Sequence, residues 1–494
     1  MINKHIVCIV FSLITALNLH SQGDKTLRLT IEDAINLARK QSPSVESAKH
    51  SFRSAYWSNR YFKANYLPSL SFSSSPNFNH QINPITMPDG TTQFIQQNQF
   101  AVNGNLSLNQ NIALTGGSIS LNTGLNRIDL FGTVNSHSYM TTPISLTFRQ
   151  SLNGYNSLRW DKKTYPLSYE IAKKNYVIAL EYVSSNAISW FFSLASAQTN
   201  LDVALTNFQS VDTLYVAAQG RYKIGRITES EMLQMEVQRL NAETSLMNAR
   251  VYLEDYIQSF RTFLGIKDTV QIEVIIDKTI PDLRIDPDKA LNLALENSPT
   301  VISMQLREIE IERSVASTKA NTGFQMNLQA QLGFSKASAE LHSAYKDLIS
   351  QQYVQVGISV PILDWGRSKG QLKMAESSRQ LSEIQLEQDR ISFEQTILRL
   401  VRQFNLLANQ ISVAEKTDYT ANKRNDVTQR LYVLGRATIL ELNNAITEKD
   451  NAKRSYISTL ANFWSSYYEI RRYTLFDFEK NILITEDYEL LLNN

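Results

Sequence analysis

Two long stretches of the chain, residues 167–280 and 362–494, contain no proline, and in the second Gly435 is the only glycine after Gly370. Proline breaks a helix and glycine weakens one, so stretches of this length without them can stay helical well beyond the ordinary globular range. Apolar residues recur seven apart within both. Leu180, Ala187, Leu194, Leu201, Phe208 and Tyr215 mark one series, and Leu386, Phe393, Leu400, Leu407, Ala414 and Ala421 the other, with Ile397, Phe404 and Ile411 as a companion seam. A strict seven-residue repeat points to coiled-coil packing. The pattern predicts two long helical hairpins, each turning near Gly225 or Gly435; a helix from about residue 366 to 431 would be roughly 100 Å long. Several shorter helices broken at unmarked positions are the alternative.

The two hairpins belong to a duplication. At an offset of 256, Leu27-Arg28, Ala34, Asn36-Leu37-Ala38, Ser42-Pro43 and Val45 fall on identical residues beginning at Leu283-Arg284, nine identities in 19 positions. At an offset of 210, Tyr222-x-x-Gly225-Arg226-x-Thr228-x-x-Glu231 falls on Tyr432-x-x-Gly435-Arg436-x-Thr438-x-x-Glu441. The difference places about 46 extra residues in the first copy, in the Gly, Asn and Ser-rich stretch around 80–150.

Between the helices the period changes to two. Phe324, Met326, Leu328, Ala330, Leu332 and Phe334 alternate with polar or small residues, as do Val354, Val356, Ile358, Val360 and Ile362. Similar alternation runs through 102–108, 119–125 and 144–148. One face is apolar and the other polar but uncharged, which suits a strand of about 9 to 11 residues crossing an outer membrane in a tilted barrel. A half-buried sheet of a soluble domain is the alternative.

Residues 1–23 favour the membrane reading. Lys4, an apolar run from Ile6 to Leu19 and the triplet Ser21-Gln22-Gly23 resemble a cleaved secretory signal peptide, with a retained anchor as the alternative. The one cysteine, Cys8, falls in this segment, so the exported chain is expected to carry neither a disulfide nor a lipid-anchored cysteine. No later run has 18 consecutive apolar residues, so any crossing must use strands. A membrane sheet cannot leave its edges unpaired in lipid, and four to six strands per chain fall short of the eight-stranded minimum, so several copies must share one barrel.

The expected organisation is a signal peptide over 1–23, a first repeat over 24–280 and a second over 281–475, followed by a tail over 476–494. The first repeat holds barrel strands within 66–152 and a hairpin over 160–264. The second holds strands over 322–336 and 350–363 and a hairpin over 366–474.

The duplicated opening motif, the run Val360-Pro361-Ile362-Leu363-Asp364-Trp365-Gly366-Arg367 and the two Tyr-x-x-Gly turns together resemble the TolC-like outer-membrane efflux protein family, over about residues 25 to 475. The resemblance implies an α+β membrane protein. Its homotrimer carries a 12-stranded outer-membrane β-barrel continued by an α-helical coiled-coil barrel through the periplasm. It implies an exit duct of a tripartite efflux or type I secretion system, served by a periplasmic adaptor (membrane fusion) protein and an inner-membrane transporter of RND, ABC or MFS type. Four strands per protomer are expected; a further pair over 97–127, turning at Thr115-Gly116-Gly117, would make six per protomer and 18 in the trimer.

The helix turns carry the candidate site. Gly225, Arg226, Thr228, Gly435, Arg436 and Thr438 are the expected adaptor-docking residues, although a glycine there also serves as a plain helix terminator. By motif position the resemblance puts gate and aperture roles on Tyr222, Glu231, Tyr432 and Glu441. It puts a further acidic position on Asn444 and a gate arginine on Ala437, where this chain departs from the pattern. Three copies of Glu441 would concentrate cations; a solvated helix face is the plainer reading.

Other chemistry finds no support. His5, His20, His50, His80, His137 and His342 share no metal-ligand spacing, and no P-loop, dinucleotide, zinc-protease or serine-nucleophile motif occurs. No cofactor and no catalysis are expected. With 49 Lys plus Arg against 47 Asp plus Glu, the net charge of +2 gives no field for nucleic acid. A structural or adhesive envelope protein built on helical hairpins remains the competing reading.

Overall fold

The computed structural model describes residues 26–132, 134–267, 270–277 and 279–492; the expected export segment, with Cys8, His5 and His20, lies outside them. The first half of the chain contains β1 (Thr26–Leu29), α1 (Ile31–Gln41), α2 (Pro43–Ala64), β2 (Ser69–Ser74), β3 (Asn77–Thr86), β4 (Thr92–Ile112), β5 (Gly117–Leu130), β6 (Ser136–Ser151), α3 (Ser157–Lys223), α4 (Glu229–Leu264) and β7 (Gln271–Val274). The second half contains α5 (Pro287–Asn297), α6 (Pro299–Thr322), β8 (Gln325–Ser338), β9 (Ile349–Ser359), α7 (Arg367–Val433), α8 (Ile439–Thr474), β10 (Phe476–Asp477) and β11 (Ile482–Leu483).

The duplicated opening motif is a pair of helix boundaries. Thr30 caps α1 in a capping box with Asp33, and Asp286 caps α5 with Pro287 in its first turn. In both copies the serine amide donates back to the alanine carbonyl, Ser42 to Ala38 and Ser298 to Ala294 at 3.0 Å. The following proline disfavours helical angles at that serine and then serves as the first residue of the next helix. At the far end of the sheet, Pro361 lacks the N–H a ladder needs, so β9 stops at Ser359 and not at Ile362 as the alternation suggested. Asp364 then accepts from the Gly366 and Ser368 amides at 3.0 and 2.9 Å and starts α7.

Two compact units divide the chain, and neither follows the repeat boundary. One takes the chain up to Ser51, Asn175–Ser298 and Glu394–Asn494; the other takes Phe52–Lys174 and Pro299–Phe393.

In the first unit, the long helices bury Ile188, Phe191, Leu194, Phe260, Phe404, Phe463 and Tyr467. On α7 the buried seam is Ile397, Phe404 and Ile411; Leu400, Leu407, Ala414 and Ala421 are half-buried beside it. β1 and β7 pair in parallel. An ion cluster sits within this packing: Arg471 donates to Glu181 at 2.9 and 3.2 Å and to Asp477 at 2.6 Å, and Tyr467 donates to Asp477 at 2.7 Å. Glu181 also faces Arg39 at 3.7 Å, which holds Glu486 at 3.1 Å, so residues of the tail are bonded into the unit.

In the second unit, one antiparallel sheet runs β2, β4, β5, β6, β8, β9, with β3 also on β4. β2 pairs with Asn109–Gly104 and β3 with Ala101–Thr92, so β2 and β3 occupy one position in tandem. The sheet is six strands wide. This is the larger of the two counts considered, in place of four, because the segment around Thr115-Gly116-Gly117 forms a full hairpin whose strands both lie inside the sheet.

Candidate functional site

Antiparallel partners share a face of the sheet, so the registers assign every strand residue to one side. One side carries Leu70 and Phe72, Leu106 and Leu108, Ile119 and Leu121, Ile144 and Leu146, Leu332 and Phe334, and Val354, Val356 and Ile358. All thirteen are exposed in the protomer, a continuous apolar surface of the kind that meets lipid. The other side carries Ser71, Asn105, Ser107, Asn122, Ser145, Asn327, Gln329, Gln331, Gln351 and Gln355. Arg149 is the one charged side chain of that side among the described strand residues. Beyond Leu125 on the apolar side, Arg127 and Asp129 form an ion pair at 2.9 Å, with the Arg127 guanidinium 5.7 Å from the Tyr139 ring. At the opposite end of β9, Trp365 is 90% exposed, as suits a membrane-interface anchor.

The two helix turns lie in the first unit and have the same construction. Gly225 and Gly435 take φ of 69° and 73°, left-handed values that favour glycine. The next amide reaches back over the last turn at 2.8 Å, Arg226 to Arg221 and Arg436 to Leu431. Thr228 and Thr438 then open α4 and α8 in capping boxes. Glu231 accepts from the Thr228 amide at 2.8 Å and its hydroxyl at 3.0 Å; Glu441 accepts from Thr438 at 2.7 and 3.0 Å. These bonds, the backbone one first, hold both carboxylates below the usual glutamate range.

The recurrence of Thr and Glu around the glycine thus has a local cause, one that Thr-x-x-Glu before an apolar run spells out in the sequence. Gly225, Arg226, Thr228, Gly435, Arg436 and Thr438 are all exposed, as are Tyr222, Glu231, Glu441 and Asn444. Tyr432 is not. It is buried with Val211, Leu214, Ala218, Met235, Ile439 and Leu442, where the ends of all four long helices meet. Burial raises its hydroxyl pKa, and Arg221 opposes the rise. Arg221, from the other hairpin, also approaches this turn. Its guanidinium lies 5.8 Å from the Tyr432 ring and donates to the Tyr432 carbonyl at 3.3 Å. A Cβ on Gly435 would lie 3.0 Å from it, a contact the flexible end of Arg221 can relieve, so the left-handed backbone angle is the firmer requirement for glycine here.

A polar feature of the same unit was not legible beforehand. Lys449, buried, donates to Asn207 at 2.8 Å, and Asn207 donates to Asp450 at 2.6 Å. Asn207 and Asp450 line a groove of about 730 Å³ along α3, α4 and α8. No group of three metal-ligating side chains occurs among the described residues.

Residues 290–473 match the outer membrane efflux protein family. No curated protein matches the chain. Among solved structures, the CmeC outer membrane channel of Campylobacter jejuni aligns with a TM-score of 0.65 at 15% identity, covering 93% of this chain and 88% of that one. The outer membrane protein VceC of Vibrio cholerae aligns at 0.61 and 16% identity, over 90% and 95%. The open state of the MtrE outer membrane channel of Neisseria gonorrhoeae aligns at 0.57 and 14%, over 93% and 90%.

An antiparallel sheet with one lipid-compatible face, joined to paired coiled-coil hairpins, is the protomer architecture of trimeric outer-membrane channels built from a β-barrel and a helical barrel. Residues 290–473 are similar in sequence to the outer membrane efflux proteins, and the fold is similar to those of outer-membrane channels over nine-tenths of the chain.

Proposed function

We propose that three copies form the outer-membrane exit duct of a bacterial tripartite efflux or type I secretion system, after export with a cleaved signal peptide. The duct conducts passively. Substrates arrive from a periplasmic adaptor and an inner-membrane transporter of RND, ABC or MFS type, which supplies the energy. The observation that carries this reading is the two-faced sheet, because a wall apolar toward lipid and polar on its other side, with Arg149 as the one charge there among the described strand residues, encloses water. The exposed turns at Gly225 and Gly435 are the adaptor-facing ends, and Tyr222, Glu231, Tyr432, Glu441 and Asn444 belong to the gate and aperture. Arg221 joins them by reaching the buried Tyr432.

Single-channel current in a planar bilayer under a salt gradient tests this reading. A small cation-preferring conductance is expected from the wild type, with the preference reduced in Glu441→Gln. Glutamine also serves at the third position of a capping box, so this substitution removes charge and keeps the helix start. Unchanged selectivity would remove Glu441 from the aperture. No conductance from assembled trimers, with or without an adaptor, would defeat the duct.

A further inference from the structure

We propose, resting on the trimeric duct reading above, that the closed barrel has 18 strands and a bore wide enough for bulky hydrophilic cargo, of the girth of a polypeptide in transit. Six strand positions lie side by side in each protomer. None of them is a loop. β5 and β6 are hydrogen-bonded on both sides, β5 to β4 from Leu130↔Gln99 to Gly117↔Ile112 and β6 to β8 from Tyr139↔Ser338 to Ser151↔Asn327. Removing them would leave β4 and β8 unjoined.

The six also share one level. At the same end of the sheet β2 begins at Ser69, β4 ends at Ile112, β5 begins at Gly117, β6 ends at Ser151, β8 begins at Gln325 and β9 ends at Ser359. The β5–β6 hairpin carries the full two-sided pattern, with Ile119, Leu121, Leu146 and Phe148 on the apolar side and Ser120, Asn122, Ser145 and Thr147 on the other. It is built as barrel wall, not as a plug or an outer loop.

Width follows from strand number. With strands about 4.8 Å apart and tilted about 40°, 18 strands close at a backbone diameter of about 36 Å, against about 24 Å for 12. Lining side chains take about 5 Å from each wall, leaving bores of about 26 and about 14 Å. The lining is made mostly of Ser, Asn, Gln and Thr, with Arg149 as its charged member, so the wall is polar and the extra width admits larger polar solutes than a 12-stranded bore would.

The test uses the full chain in a Cys8→Ser background, which is free of cysteine. Asn122→Cys on the polar side of β5 and Leu121→Cys on the apolar side are made separately and reconstituted in lipid vesicles. Each is treated from outside with a small charged maleimide and with a maleimide-polyethylene glycol about 20 Å across, a size between the two bores. Comparable labelling of Asn122→Cys by both reagents, with Leu121→Cys protected from both, is the expected result. Labelling of Asn122→Cys by the small reagent alone would overturn the wide bore and leave the duct reading standing. Labelling at both positions would put the hairpin outside the wall and overturn the proposal. Labelling at neither would remove the water-filled lumen, and with it both readings. Electron cryo-microscopy of the unsubstituted trimer gives an independent answer if either variant fails to assemble: 18 strands support the proposal and 12 overturn it.

Discussion

At the scale of single residues, the helix turns are governed by caps. Thr438 and Glu441 satisfy each other's amides, as do Thr228 and Glu231, so Thr438→Ala is expected to destabilise the start of α8 by about 1 kcal/mol, read as a lowered melting temperature. The pH dependence has a fixed sign. Both glutamates titrate below their ordinary value of about 4.3, so the caps contribute fully above it and lose that contribution as acid takes the pH through the lower folded value. Thermal unfolding of wild type and Thr438→Ala between neutral and acid pH checks this, since the difference between them should shrink as the pH falls. Thr-x-x-Glu before an apolar run is legible in the sequence as a capping signature, and the structure gives both copies that role. Arg221 was not readable. It meets Tyr432 from 211 residues away, and its counterpart in the duplicated segment is Leu431, so no repeat marks it.

At the scale of elements, periodicity foretold the long helices and most strands, because seven-residue and two-residue repeats each impose a buried or lipid-facing stripe. It gave less help where prolines interrupt. β2 and β3 stand in tandem around Pro76, and Pro84 lies within β3, so their alternation is broken just where the sheet begins. Ion clusters have no period, and the Glu181–Arg471–Asp477 group was missed for that reason. Removing one partner of such a group leaves a buried charge uncompensated, so Arg471→Met is expected to cost roughly 3 kcal/mol, measured by denaturant unfolding of the purified protein. Burial alone would raise the Asp477 pKa, but hydrogen bonds from the Lys480 amide and the Tyr467 hydroxyl, together with Arg471, hold it below the usual range. Its stabilisation is therefore complete above about pH 3.9 and lost as the pH falls through the lower folded value. Arg471→Met should be less acid-sensitive than wild type in the same titration.

At the scale of the whole molecule, the duplication visible in the sequence does not correspond to two folding units. Each compact unit draws segments from both repeats, so residues 24–280 and 281–494 expressed separately are each expected to lack the complete sheet. Co-expression of the two halves should recover heat-resistant, trypsin-protected trimers if the chain break at 280 is tolerated, whereas either half alone should be degraded; protease protection of outer-membrane fractions measures both.

The joint between β6 and β8 sets a timetable for biogenesis. Ser145 and Gln331, bonded across it, are 186 residues apart in the chain. On the proposed route of export, β6 therefore emerges long before its neighbour does, with an unpaired backbone edge beside an apolar face. Keeping that edge from pairing with other chains until the second repeat emerges is a demand on folding, heavier for this protein than for one whose sheet strands are contiguous in sequence.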